Sequence, residues 1–317
     1  MQLFTPVALP PAPFRLTPVS RVLTLGSCFA QHIGQHIAAA LPDGHALVNP
    51  FGPLYAPQVI AHHLRLLLDT APLPDTTYFE GVEGMWHNRW FSTHVSSAEL
   101  ATCRRLTTDA LSAARDLLRR ADVLVLTLGT DRCYRLPDGR LVANCHKQPA
   151  ATFTEHAADV ETLTSDLRRA LDSLRALRPE LQVVWTVSPY RYAKYGLHAS
   201  QLAKARLLLA VDALCATDER SVYFPAYELL LDELRDYRYY ARDLLHPSDT
   251  AVELIGERFA DWCFAPALHT FARERTRLLR AHQHRPLHPE SDAHRAFRAK
   301  LRHEAELFKA KWGFSPF

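Results

Sequence analysis

Residues 21–41 read RVLTLGSCFAQHIGQHIAAAL, and the way this stretch divides decides the fold. Arg21 to Gly26 is a short apolar run ending in glycine, the pattern of a buried strand. After Ser27, the residues Phe29, Ile33, Ile37 and Leu41 recur every four positions, which is one face of a helix. The expected order is therefore strand, tight turn, helix. The same alternation continues downstream. His45 to Val48 is a second short strand, followed by NPFGPLY (49–55) and a helix from about Ala56 to Leu68. Leu100 to Arg120 is amphipathic, and Asp122 to Leu128 (DVLVLTL) is an almost uninterrupted apolar run, as a strand buried on both faces should be. Helices near 156–177 and 200–215 flank strands at Gln182 to Val187 and Val222 to Phe224.

Alternating strands and helices with continuously apolar strands predict an α/β fold: a doubly wound parallel sheet covered on both faces. Ligands of such sheets bind in loops beyond the carboxyl ends of the strands. Two hairpins are expected to project from it, one near Met85 to Phe91 and one turning at LPDGR (136–140), where Asp-Gly supplies positive φ. From Pro266 the pattern becomes helical and rich in Arg and His. The expected division is an extended, proline-stiffened lead-in at 1–19, an α/β domain at 20–265 and a helical C-terminal appendage at 266–317.

Composition narrows the function classes. Over 317 residues, 37 Lys and Arg balance 34 Asp and Glu, and 48% of residues are hydrophobic. That is ordinary globular usage, with no overall field to favour nucleic acid or an anionic membrane. The start lacks a signal-peptide pattern, and no apolar stretch approaches membrane-spanning length, so a soluble protein without membrane contact is expected. Six Cys with no C-x-x-C pair fit neither a disulfide framework nor a zinc ribbon, which points to a reducing, cytoplasmic setting. The 17 His are scattered, and the tight pairs His62-His63 and His282/His284 lack further ligands at metal spacing. No metal and no cofactor are expected.

Two stretches carry chemistry. Gly26-Ser27-Cys28 sits where the first strand turns into the first helix, where a hydroxyl can be exposed and helix N–H groups can meet an oxyanion. Ser27 also suits the N-cap of that helix. Cys28 is the second nucleophile candidate, placed behind Ser27 because the first helical side chain is expected to turn toward packing. Late in the chain, Asp243-Leu-Leu-His246 offers an imidazole base with a carboxylate to fix its tautomer.

LTLGSCFA (23–30) resembles the signature of the GSCFA family, which is similar to the SGNH/GDSL esterase and lipase superfamily. NPFGPLY (49–55), VANCHKQP (142–149), TVSPYR (186–191) and YFPAYELLLDELRDYRYYARDLLHPS (223–248) agree with it in order. The resemblance implies a flavodoxin-like three-layer sandwich and a Ser27–His246–Asp243 triad cleaving an O-acyl ester, with a small-molecule or glycan ester as substrate. It implies an oxyanion hole at the Ser27 N–H and Gly52. Asp131 stands where the superfamily places an asparagine donor, and an ionised Asp cannot donate. Thr130 or Asn144 is the expected replacement, with His94 and His146 as further candidates. Trp86, His94 and His146 are the expected substrate-binding residues. The rival functions are acyl transfer through the same triad and a non-catalytic binding module. The basic C-terminal helices read as a solvated face, with a homo-oligomer contact as the rival.

Overall fold

Val22, Leu23 and Leu25 are fully buried in β1 (Val22–Gly26), and Ser27 alone separates that strand from α1 (Cys28–Ala40). A computed structural model describes residues 5–317 of the protein. Helix α1 buries Phe29, Ile33 and Ile37, the face that the four-residue spacing predicts. Strand β1 pairs in parallel with β2 (Ala46–Val48), which precedes α2 (Pro57–Leu68). A short antiparallel hairpin, β3 (Tyr78–Glu80) and β4 (Trp86–Asn88), then leads to α3 (Leu100–Leu118) and the fully buried β5 (Val123–Leu128).

The hairpin at LPDGR forms as expected, joining β6 (Arg132–Arg135) to β7 (Leu141–Val142), with Gly139 at φ 86°. A third strand, β8 (Thr154–Ala157), pairs with the other edge of β6. The helix expected from about His156 therefore starts later, as α4 (Val160–Leu177), where Asp159 caps it by accepting the Thr162 N–H at 2.8 Å. Strand β9 (Gln182–Val187), α5 (Leu197–Cys215) and β10 (Ser221–Tyr223) complete the alternation. A single turn, α6 (Ala226–Glu228), runs into a π-turn before α7 (Asp249–Cys263), α8 (Pro266–Gln283) and α9 (Asp292–Trp312).

The five main strands form one parallel sheet in the order β2-β1-β5-β9-β10. One core joins its first face to α2, α3, α4 and α5; a second joins the opposite face to α1, α7, α8 and α9. The result is three layers. The chain leaves β1 toward β2 across one face and reaches β5 across the other, so the two connections diverge between β1 and β5. A crevice opens there, beyond the carboxyl ends of both strands.

The C-terminal helices are not a solvated fringe. Leu268, Phe271 and Leu278 of α8 and Leu301 and Phe308 of α9 share the core of α1 and α7. Arg275, one of the basic stripe, is buried and donates to Leu41 O at 2.9 Å and Pro316 O at 3.2 Å, with Asp43 at 2.5 Å. It thus serves the carboxyl end of α1, where a cation is favoured. The lead-in is tied down too: Leu16 bonds to Cys263 O and accepts from Ala265, and the Trp262 indole donates to Pro10 O. Among the described residues no helix is long and apolar enough to cross a membrane.

Gly26, at the tip of β1, holds φ 146°, and a Cβ there would lie 2.3 Å from Thr127 O. Backbone strain and backbone overlap then act together. Gly26→Ala is expected to cost about 3 kcal/mol or more. An unchanged urea midpoint in that variant would contradict this reading of the turn.

Candidate functional site

A cavity of about 280 Å³ opens over the β1/β5 crevice. Cys28 from the start of α1, Tyr55 from the loop after β2, Thr130 from the loop after β5 and Arg132 from the start of β6 line it. Tyr190, Tyr192 and Tyr195 follow β9, Tyr134 and Asn144 come from the inserted hairpin, and His246 precedes α7.

Ser27 is not among the lining residues. It is 1% exposed, and its hydroxyl accepts the Phe29 N–H at 3.3 Å as the N-cap of α1. Its N–H donates to Thr127 O at 3.0 Å, and its carbonyl accepts from Ala30 and from Asn49 Nδ2. The Ser27 N–H and carbonyl are thus engaged inside the fold, and its hydroxyl accepts one helix-cap bond. Cys28, expected to turn toward packing, faces the cavity instead. The reason is helical phase: the packed face of α1 runs through Phe29, Ile33 and Ile37, and Cys28 lies about 100° from Phe29 around the axis. The Cys28 N–H makes no main-chain hydrogen bond among the described residues. Burial pushes its thiol pKa up, while the N–H groups of Phe29 and Cys28 and the Lys204 ammonium oppose that rise.

The D-x-x-H stretch closes on itself. Asp243 Oδ1 accepts the N–H groups of Leu245 and His246, each at 3.0 Å, and Oδ2 lies 2.5 Å from His246 Nδ1. Leu244 adopts φ 59° to make this tight loop. Those contacts, first of all the His246 N–H, hold the Asp243 carboxyl well below the usual range. A carboxylate at Nδ1 fixes the proton there and leaves the Nε2 lone pair unclaimed. Tyr190 stacks on the imidazole with ring centroids 4.1 Å apart and planes 27° apart.

Two of the expected oxyanion donors are already spent: the Ser27 N–H on Thr127 O, and the Gly52 N–H on Asn49 O at 2.8 Å. Gly52 serves the turn, at φ 78°, where a Cβ would overlap the Ser92 side chain. Thr130 and Asn144 do line the cavity. The Asn144 carbonyl oxygen accepts the His146 N–H at 2.7 Å, so its NH₂ group is the part left for a ligand. Asp131 turns away from the cavity into an ion pair with Arg206 of α5 at 2.6 Å.

Trp86, His94 and His146 do not line the cavity, contrary to expectation. Trp86 is held by main-chain bonds to Ser97, and His94 lies in a single turn capped by Ser92. His146 is buried beside His87, with Nε2 3.1 Å from Asn88 O, and burial pushes its pKa down to about 4. It is a neutral packing residue.

The tyrosines carry what the expectation missed. Their signal is the SPYRYAKY run (188–195) after β9, which puts three phenols within six residues. Glu155 on β8 ties that run to the insert, accepting from Tyr134 at 2.6 Å, from Arg132 at 2.7 Å and from Tyr195. Burial would raise the Glu155 pKa, but these donors outweigh it and hold it at about 2.

The strand order and the crevice at its switch point define a three-layer α/β protein with a thiol, an imidazole and aromatic walls over its ligand crevice. The chain belongs to the GSCFA family, whose model matches residues 21–259, and the resemblance read from the sequence is borne out. A comparison with curated proteins finds no match. Among solved structures, a similar one is the crystal structure of a carbohydrate esterase family 3 from Talaromyces cellulolyticus, 10% identical, with a TM-score of 0.38. That likeness covers 80% of this chain and 99% of the other.

Proposed function

We propose that the protein is an ester hydrolase with an SGNH-like arrangement in which Cys28, not Ser27, is the nucleophile. The observation that carries this reading is that Cys28 and His246 face one cavity while Asp243 holds the far side of the imidazole. His246 Nε2 takes the thiol proton as Cys28 Sγ attacks the ester carbonyl carbon. The Cys28 N–H at the start of α1 and the Asn144 amide are the donors offered to the oxyanion. Collapse of that intermediate breaks the bond to the alcohol oxygen, which leaves with the proton from His246. Water, deprotonated by the same nitrogen, then releases the acid and frees the thiol. The phenol walls favour a small acyl group on a ring, and an O-acylated carbohydrate is the substrate class we assign, since sugar faces pack on aromatic rings.

Acid-quenched reaction with p-nitrophenyl acetate, followed by peptide mass spectrometry, tests the nucleophile directly. An acetyl group on the Cys28 peptide, removed by neutral hydroxylamine as a thioester should be, is the expected result. Acetylation confined to Ser27, or no adduct in a folded sample, would overturn the proposal.

A further inference from the structure

Lys204 of α5 is 1% exposed, and no carboxylate pairs with it among the described residues. Its ammonium donates to Gly129 O and Ser188 O, both at 2.7 Å, the carbonyls just past the ends of β5 and β9. Two carbonyls solvate a cation without neutralising it, and an unpaired interior charge is costly. The site therefore calls for an anion nearby. Gly26 is in register with Thr127 across the β1/β5 pair, so Cys28 and Gly129 both lie two residues beyond the same rung.

The other groups facing the ammonium do not supply that charge. Asp131 is already matched to Arg206, Arg191 is a like charge, and the Tyr227 ring stands 6.0 Å away. The cavity that Cys28 lines also holds the titratable side chains of Tyr55, Arg132, Cys133, Tyr134, Cys145, Tyr190, Tyr192, Tyr195 and His246, none of them a carboxylate, and burial pushes the Tyr55 phenol up to about 12.

Resting on the nucleophile reading above, we propose that Lys204 is a positioning residue whose buried charge stabilises the Cys28 thiolate. It also joins the tips of β5 and β9, which fixes that charge in place. The two groups respond to each other: burial lowers the ammonium pKa and the Cys28 thiolate opposes that fall, with about 7 as the net result. Removing the ammonium should therefore raise the pH at which the thiol ionises.

The test is the pH dependence of iodoacetamide alkylation at Cys28, followed by peptide mass spectrometry on the full chain, in the wild type and in Lys204→Met. The variant's inflection is expected about one pH unit higher, with about tenfold slower alkylation at pH 7. An unchanged inflection in a variant with native circular dichroism would overturn the proposal. Should Lys204→Met not fold, lysine-labelled NMR of Cys28→Ser reads the reciprocal effect: the Lys204 inflection should fall, and one that stays fixed overturns the coupling. The two readings fail separately. Ester turnover surviving in Cys28→Ala would remove the nucleophile assignment, whereas the alkylation profile reports on Lys204 whatever the nucleophile is.

Discussion

Cys28→Ala should lower kcat for ester cleavage by about 10³-fold or more, whereas Ser27→Ala should stay within about tenfold of the wild type. The contrast between neighbouring residues follows from the proposed nucleophile. Cys28 opens onto the cavity, and no other residue of the β1–α1 turn lines it. The Ser27 hydroxyl makes one helix-cap bond, so its loss is expected to appear as about 1 kcal/mol of stability, not as lost chemistry. Kinetics with an acylated sugar, alongside thermal unfolding of both variants, separate the two effects. A dead Ser27→Ala beside an active Cys28→Ala would reverse the assignment.

His246→Ala is expected to cost a further large factor, about 10³-fold in kcat, and Asp243→Asn nearly as much. The asparagine argument follows from the three donors on Asp243. An amide carries one oxygen. If that oxygen keeps the N–H groups of Leu245 and His246, its NH₂ faces Nδ1. The imidazole must then carry its proton on Nε2, and the base is lost. Because Asp243 is held well below the usual carboxylate range, it should stay ionised across the assayed acid range and contribute no inflection there. Normal turnover in Asp243→Asn would remove the orienting role.

Local patterns were legible in the sequence and relative orientations were not. β1, β5 and β9 announce themselves because strands buried on both faces must be apolar throughout. β8 could not, since Thr154-Glu-His-Ala157 is a mostly exposed edge that pairs only with β6. In the site, Asp243 and His246 were readable because their contact spans three residues. Choosing between Ser27 and Cys28 required the rotation of α1 against the sheet, which no single residue encodes. Trp86 lies on a hairpin and His146 in the loop between β7 and β8, and nothing in their own sequence says which side of either segment meets the crevice. The tyrosine walls draw on residues 55 to 195, assembled only by tertiary packing.

The tethering of the lead-in bears on how the chain reaches this structure. Val7 bonds to Glu233 and Arg258, Pro10 and Arg15 to Trp262, and Leu16 to Cys263 and Ala265. Even the nearest of these pairs in sequence, Val7 and Glu233, is 226 residues apart. During synthesis the lead-in therefore leaves the ribosome long before its partners exist, and it waits unattached while the sheet grows behind it. Its docking closes loops of 226 residues and more, a step with a high entropic barrier. The seam between residues 7–16 and the end of α7 is then among the last parts of the fold to assemble and the first exposed to a protease when the native state breathes.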